Sequence, residues 1–170
     1  YNNKTGYQLG SYLYEPAGIK NLSLILEYTK IRPFVYSHLN IKNSYTSYSD
    51  ILGNQIGPNA DELRVNAIYN FSDRLNVNFL FRKIREGNNV YDANGNLIDN
   101  VGGDVFVPYD FTPIKVNYPF LDGERVNTNV YQVALKYEPI VGFNFHLVYN
   151  YTGMNNITKG TFSDLSFGYL

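Results

Sequence analysis

The stretch LRVNAIYNFSDRLNVNFLF, residues 63–81, decides the fold of this chain. Every second residue on either side of its centre is apolar or aromatic, and most of the residues between them are polar. A period of two is typical of a β-strand with one polar and one apolar face. Ser72-Asp73-Arg74, at the centre, is short enough for a tight turn. The stretch therefore predicts two adjacent antiparallel strands.

The same alternation recurs along the chain and predicts seven strands, at about residues 7–14, 22–35, 62–72, 75–86, 129–138, 143–153 and 161–170. Strands of soluble globular proteins usually have about 5–6 residues, and most of these are longer. A tilted strand that crosses a bilayer needs about 9–11 residues. No stretch predicts a helix of useful length, and no apolar run approaches the roughly 20 residues of a membrane helix.

Short and longer connections alternate between the predicted strands. The short ones lie near residues 15–21, 72–74 and 138–142, and the longer ones near residues 36–62, 87–129 and 153–160. Outer-membrane β-barrels combine tight periplasmic turns with long outer loops in this way. We therefore expect an all-β fold, an antiparallel transmembrane β-barrel. A soluble antiparallel sandwich with one solvated face is the alternative that alternation alone would also fit.

The number of predicted strands indicates part of a larger barrel. Bacterial single-chain barrels have an even number of strands, and an open edge would leave backbone groups unpaired in lipid. The final stretch alternates Leu165, Phe167 and Tyr169, as expected of the last strand of an outer-membrane barrel. We expect residues 1–170 to form the C-terminal portion of such a barrel.

Composition restricts the function classes. A net charge of −1 provides no field that would attract nucleic acid. The chain has no cysteine, which excludes disulfides and thiolate metal sites. Its 17 Tyr and 11 Phe suit the aromatic girdles of a membrane protein. We expect the lipid bilayer as a partner, and no cofactor, metal site or enzyme activity.

The segment between the second and third predicted strands contains a specific pattern. It comprises Tyr36-Ser37-His38, Asn43-Ser-Tyr-Thr-Ser-Tyr48, Leu52-Gly53 and Ile56-Gly-Pro-Asn-Ala-Asp-Glu62. In order and spacing these residues resemble the Wzi-like capsule assembly family of the Gram-negative outer membrane. The resemblance implies a large β-barrel that holds capsular polysaccharide or exopolysaccharide at the cell surface. Further envelope proteins are candidate partners.

Aromatic, imidazole and acidic side chains of this segment are the candidates for polysaccharide contact. Tyrosine combines a flat apolar face with a polar edge, as a sugar ring does, and carboxylates accept hydrogen bonds from hydroxyl groups. The candidates are Tyr36, His38, Tyr45, Tyr48, Asp61 and Glu62. Alternatively, the same side chains fold the loop into the mouth of the barrel and plug it.

A second set of candidates, Arg64, Arg82, Lys136 and His146, lies on the predicted polar faces of the strands. We expect these residues to form a charge network in the barrel lumen, with Asp61 or Glu62 as internal partners. Two other functions stay open: a porin-like channel, and a structural subunit of an envelope assembly.

Two outer segments carry weaker signals. Asn94-Gly95 within residues 91–97 predicts a surface hairpin. Residues 92–99 superficially resemble a calcium loop but lack the spacing and the distal Glu of an EF-hand. Residues 104–120, with three prolines among aromatic residues, predict an irregular segment.

Overall fold

Seven long strands form one antiparallel sheet in the computed structural model, which describes residues 4–109, 118–157 and 160–169. They are β1 (Gly6–Tyr14), β2 (Leu22–Ile31), β5 (Ala60–Ser72), β6 (Leu75–Asn88), β9 (Glu124–Ile140), β10 (Phe143–Asn156) and β11 (Gly160–Tyr169). Two small hairpins pair β3 (Thr46–Ser47) with β4 (Asp50–Ile51), and β7 (Val90–Tyr91) with β8 (Leu97–Asp99). Single 3-10 turns span Pro16–Gly18 and Ile41–Asn43. Within the described ranges, no helix has the length and apolar character needed to cross a membrane.

Each long strand pairs with the next long strand along the chain, in the order β1-β2-β5-β6-β9-β10-β11. The all-β, antiparallel prediction is confirmed. The sheet is open in the part of the chain that the structure describes, since β1 and β11 lie at its two edges. The connections at residues 15–21, 73–74 and 141–142 are short and lie at one end, the turn end, whereas the long connections at residues 32–59 and 89–123 lie at the other, the loop end. The connection predicted as longer at residues 153–160 is instead short, although it lies at the loop end, because β10 ends at Asn156 and β11 begins at Gly160.

The largest differences from the prediction are at two strand boundaries. β2 ends at Ile31 rather than near residue 35. Pro33 has no N–H to donate to a neighbouring strand, and Phe34 adopts a left-handed backbone with φ 61°. β9 begins at Glu124 rather than near residue 129, because β6 extends to Asn88 and pairs with it there.

Strand alternation gives the sheet two chemically different faces. The row Val65, Phe81, Tyr131, Tyr151 and Leu165 runs across five neighbouring strands on one side, which we call the apolar face. One residue further along, the row Asn66, Leu80, Gln132, Asn150 and Ser166 lies on the opposite side, the polar face. On this face the Gln132 amide donates to Asn150 Oδ1 (2.8 Å).

The buried apolar side chains lie near the loop end and not in the middle of the sheet. They are Ile31, Phe34, Ile56, Ala60, Val101, Val105, Tyr118 and Val126. The apolar face, by contrast, stays open: Val133 is 39% exposed, Leu147 54% and Leu165 51%. A soluble sandwich would cover this face with a second sheet, and the described residues provide none.

The loop at residues 32–59 and the described parts of the next loop, residues 89–109 and 118–123, pack against each other and form a cap over the loop end. Phe34 is its centre, with its ring edge-on to Tyr109 (4.7 Å between centroids) and Tyr118 (4.6 Å). The Phe34 N–H donates to the carbonyl of Gly102 (3.0 Å). A Cβ at Gly102 would collide with the Phe34 ring, so glycine permits this close approach.

Two buried asparagines tie the cap to the strand ends. The Asn59 amide donates to the carbonyls of Gly87 (2.7 Å) and Asp122 (3.1 Å), and its oxygen accepts from the Leu121 N–H (2.8 Å). Asn89 Oδ1 accepts from the N–H groups of residues 101 (3.0 Å) and 103 (3.2 Å). Each side chain therefore replaces the backbone pairing that an irregular loop lacks.

The predicted surface hairpin is confirmed as β7 and β8. Asp92 Oδ1 accepts from the N–H groups of Asn94 (2.9 Å) and Asn96 (2.8 Å), and Gly95 has φ 84°. The Asp92 carboxylate thus accepts hydrogen bonds from its own turn. Residues 104–109 and 118–120 of the predicted irregular segment contain no strand, and residues 110–117 lie outside the described ranges.

Candidate functional site

A cavity of about 270 Å³ lies on the polar face of the sheet, beneath part of the first outer loop. Its walls are strand side chains from β1, β2, β5 and β6, and its cover is the loop segment of residues 53–56. The strand side chains are Gln8, Glu27, Thr29, Glu62, Arg64 and Arg82. Polar groups therefore surround a space large enough for part of a hydrated ligand.

Ion pairs organise the walls of this cavity. Arg82 Nε contacts Glu62 Oε1, and Arg64 lies 3.7 Å from Glu27 Oε2. The Gln8 amide also donates to Glu27 (3.3 Å). Two guanidinium groups thus face two carboxylates, and the cavity carries little net charge. Because the guanidinium groups have more donors than these contacts use, a hydroxyl-rich ligand would find both donors and acceptors here.

Tyr36 holds the cover of the cavity in place. Its backbone is left-handed (φ 73°), its ring packs on Gly53, and its hydroxyl accepts from the Asn54 N–H (3.2 Å). Asn54 Oδ1 in turn accepts from the Ile56 N–H (3.1 Å) and closes a tight turn. A side chain at position 53 would overlap the tyrosine ring. The structure thus places Tyr36 as a support of the loop, in contact with its own chain.

Tyr45 and Tyr48 lie on the outer side of the same loop. Tyr45 is half-exposed, with its ring 5.9 Å from that of Tyr36. Tyr48 is fully exposed at the tip of the β3–β4 hairpin. Both central residues of this turn, Tyr48 (φ 48°) and Ser49 (φ 68°), are left-handed, as in a type I′ turn. Such a turn usually contains Asn or Gly, and here it presents an aromatic ring to solvent.

His38 is exposed in the cap and is held by backbone contacts. Its Nδ1 accepts from the Asn40 N–H (3.1 Å), and its carbonyl accepts from the Tyr109 N–H (3.2 Å). No group of three or more His, Cys, Asp or Glu side chains within the described ranges is placed to hold a metal ion.

Asp61 and Glu62 are separated by the sheet, although they are neighbours in sequence. Glu62 points into the cavity, whereas Asp61 lies on the apolar face. Asp61 accepts from Arg85 Nε (2.8 Å) and the Tyr28 hydroxyl (3.1 Å), and it is 3% exposed. Its carboxylate is therefore enclosed by its own partners.

The four residues of the predicted lumen network share the polar face but form two groups. Arg64 and Arg82 are cross-strand neighbours beside the cavity. Lys136 and His146 are neighbours near the turn end, and both are exposed. Arg82 pairs in register with Val130, six residues from Lys136, so the groups lie roughly 20 Å apart along the strand.

The family model described as capsule assembly protein Wzi matches residues 1–157. The chain belongs to this family. The resemblance found in residues 36–62 is thereby confirmed, and it extends over most of the sequence. No curated protein and no solved structure shows significant similarity to the chain.

Some residues of the cavity in this Wzi-family chain escaped the sequence analysis. Gln8, Glu27 and Thr29 line it from β1 and β2, whose alternation is the weakest among the strands. The charge of Glu27 was the one sequence signal for these residues, because Glu27 pairs in register with the predicted lumen residue Arg64. The loop residues 53–56 could not be assigned to the cavity without the contact between Tyr36 and Gly53.

Proposed function

We propose that this chain is a non-catalytic portion of a β-barrel in the outer membrane of a Gram-negative bacterium. Its outer loops attach capsular polysaccharide or exopolysaccharide to the cell surface. The carrying observation is the wide apolar face, on which side chains such as Tyr131 and Leu147 stay 39% and 54% exposed. Lipid is the solvent that such a face requires. The polar face then borders the barrel interior.

The position of the loops supports this orientation. In outer-membrane barrels the long loops are extracellular and the tight turns are periplasmic. The cap, with the cavity beneath residues 53–56, is thereby proposed to face the cell exterior, where surface polysaccharide lies. Membership of a capsule assembly family supports the same function.

Two features of the loop suit a sugar polymer. Tyr45 and Tyr48 offer exposed aromatic faces on which pyranose rings can pack. Below them, Glu62, Arg64 and Arg82 offer carboxylate and guanidinium groups that can bind hydroxyl groups. We propose that the polymer packs on the tyrosines and that one of its residues enters the cavity. Tyr36 and Asp61 serve as internal supports.

The test uses the parent organism with this gene deleted. Cell-bound and released polysaccharide are measured in the deletion strain, the wild type and strains complemented with variants, at equal total synthesis. We expect the deletion to shift polysaccharide from the cells to the medium. Tyr48→Ala combined with Tyr45→Ala should reproduce much of that shift, whereas Tyr137→Ala, near the turn end, should not. An unchanged distribution in the deletion strain would exclude attachment.

A channel is the second candidate, because the polar face would line an aqueous lumen. Residues 53–56 fold over this face and narrow the space beside β1, β2 and β5. We therefore expect low single-channel conductance in planar bilayers, and an increase when the loop support is weakened by Tyr36→Ala. High conductance of the unmodified protein would favour a transport function instead.

A further inference from the structure

The apolar face carries its charged residues only at the loop end, as far as the structure describes its strands. Lys30, Asp61 and Arg85 lie in one cross-strand row. Lys83 lies two residues nearer the turn end than that row. Arg125 pairs with Gly87, which lies two residues further toward the loop end. Four cations therefore accompany a single carboxylate. We call these five residues the cationic rim.

Two cations of the rim have partners within the chain. Arg85 is paired with Asp61 through two of its nitrogens. Lys30 Nζ lies 4.0 Å from the centre of the Phe120 ring, a cation–π contact. These contacts hold Lys30 and Arg85 in place within their cross-strand row.

The other two cations have no acceptor among the described residues. Lys83 is exposed and makes no described hydrogen bond or ion pair. Arg125 has a buried Nε without a hydrogen-bond partner. The Arg125 side chain thus carries a charge with no partner among the described residues, and an anionic ligand on the terminal nitrogens of its guanidinium would stabilise the protein.

The rim lies where the chemistry of the face changes. Lys83 follows Phe81 on the same face and has Leu63 and Asn129 as cross-strand neighbours. Below Lys83 the face is apolar. In the row above, Asn127 lies beside Arg85, and Asn155 lies beside Asn127. Such a boundary, in a sheet that spans a bilayer, coincides with the layer of lipid headgroups.

We infer that the cationic rim binds the phosphorylated headgroup of an anionic glycolipid in the outer leaflet. Lys83 and Arg125 bind phosphate oxygens, and the asparagine amides bind neighbouring hydroxyl groups. The charge of the rim is complementary to a phosphate, and its height at the edge of the apolar face selects a lipid over a soluble anion. This inference rests on the proposed membrane location of the sheet.

The test reconstitutes the full-length protein into phosphatidylcholine vesicles that contain a small fraction of bisphosphorylated lipid A. The protein is then extracted with mild detergent, and the lipid A retained per protein is quantified by mass spectrometry. Parallel vesicles contain the same lipid A with both phosphates removed. The variants are Lys83→Gln, Arg125→Gln and their combination. Lys20→Gln, in the short turn at the opposite end, removes the same charge as a control.

We expect retention of bisphosphorylated lipid A to fall roughly five-fold for each rim cation removed. Lys20→Gln should leave retention unchanged, and the dephosphorylated lipid should be retained poorly by every form. Equal retention by the unmodified protein and the combined variant, or equal retention of the two lipids, would overturn the inference.

Flotation of the vesicles separates this inference from the proposed function. If the unmodified protein fails to float with the vesicles, the proposed membrane location fails and the rim inference fails with it. If every form floats and the variants retain lipid A normally, only the rim inference is overturned. Lys83 is exposed, so Lys83→Gln should float like the unmodified protein.

Discussion

Apolar side chains are buried in the cap but exposed on one face in the middle of the sheet. In the cap, Phe34, Val101 and Val105 are at most 1% exposed. In the sheet, residues of the same types, such as Phe79 and Val133, are each 39% exposed. The cap therefore contains its own core, whereas the sheet depends on its surroundings to cover its apolar face.

The cap is therefore stabilised by contacts within the protein, and the apolar face by contact with the medium around it. Substitutions in the cap should act in any solvent, because the contacts that they remove are internal. Substitutions on the apolar face should act through the medium around the protein. Variants of the two regions therefore test whether the proposed lipid contact is real.

The largest effect is expected for Phe34→Ala in the cap. Removal of a fully buried phenylalanine typically costs about 3–5 kcal/mol, through lost burial and the cavity that remains. The cap should loosen while the paired strands persist. Limited proteolysis of the purified protein should then cut residues 89–109 much faster than in the unmodified protein. Tyr48→Ala, which removes an exposed ring, is the control, and equal cleavage rates in both variants would contradict a core at Phe34.

A somewhat smaller effect is expected for Val133→Lys on the apolar face. A lysine near the bilayer midplane destabilises a membrane barrel by roughly 2–4 kcal/mol. Ala134→Lys places the same charge on the polar face one residue later and is the matched control. The measurement is urea unfolding of protein folded into vesicles. Similar unfolding midpoints for the two variants would argue against a lipid-facing apolar side.

Asn59→Asp should destabilise the junction between the cap and the sheet. The substitution keeps the side-chain shape and the oxygen that accepts from Leu121. It removes the amide donor, however, and directs a carboxylate at the carbonyls of Gly87 and Asp122. An unsatisfied buried polar group costs about 1–3 kcal/mol. Hydrogen exchange of residues 118–123 should accelerate, whereas Asn144→Asp, at an exposed position, should leave it unchanged.

The sequence predicted the sheet much better than the cap, for a physical reason. Alternation is a local signal, and residues 63–81 contain enough of it to assign two strands and their turn. The cap depends on contacts between residues far apart in sequence, such as the ring contact of Phe34 with Tyr118 and the three hydrogen bonds of Asn59. Such contacts leave no periodic pattern in the sequence. The positive φ of Phe34 and Tyr36 also runs against the preference of these residue types.

The candidate site shows the same limit. β5 begins at Ala60 rather than at the predicted residue 62, so alternation along the observed strand places Asp61 and Glu62 on opposite faces. Their partners, Arg85 and Arg82, are three residues apart on β6 and are likewise on opposite faces. The predicted strand left Asp61 in the loop, so the sequence provided no ground for separating the two acids as candidate sugar contacts. The cover of the cavity by residues 53–56 depends instead on a tertiary contact that no local pattern encodes.

The smallest effect concerns pH and the β7–β8 hairpin. Hydrogen bonds from Asn96, through its side chain and backbone, lower the pKa of the Asp92 carboxyl from its ordinary value. A carboxyl whose pKa is lower in the folded state stabilises that state above the unfolded pKa of about 3.9. This contribution is lost as the pH falls through the folded pKa. The backbone amide resonances of Asn94 and Asn96 in detergent-solubilised protein should therefore titrate with a midpoint below the ordinary value for aspartate. In Asp92→Asn that transition should disappear, and a midpoint at or above the ordinary value would show that the hairpin does not hold the carboxylate in this way.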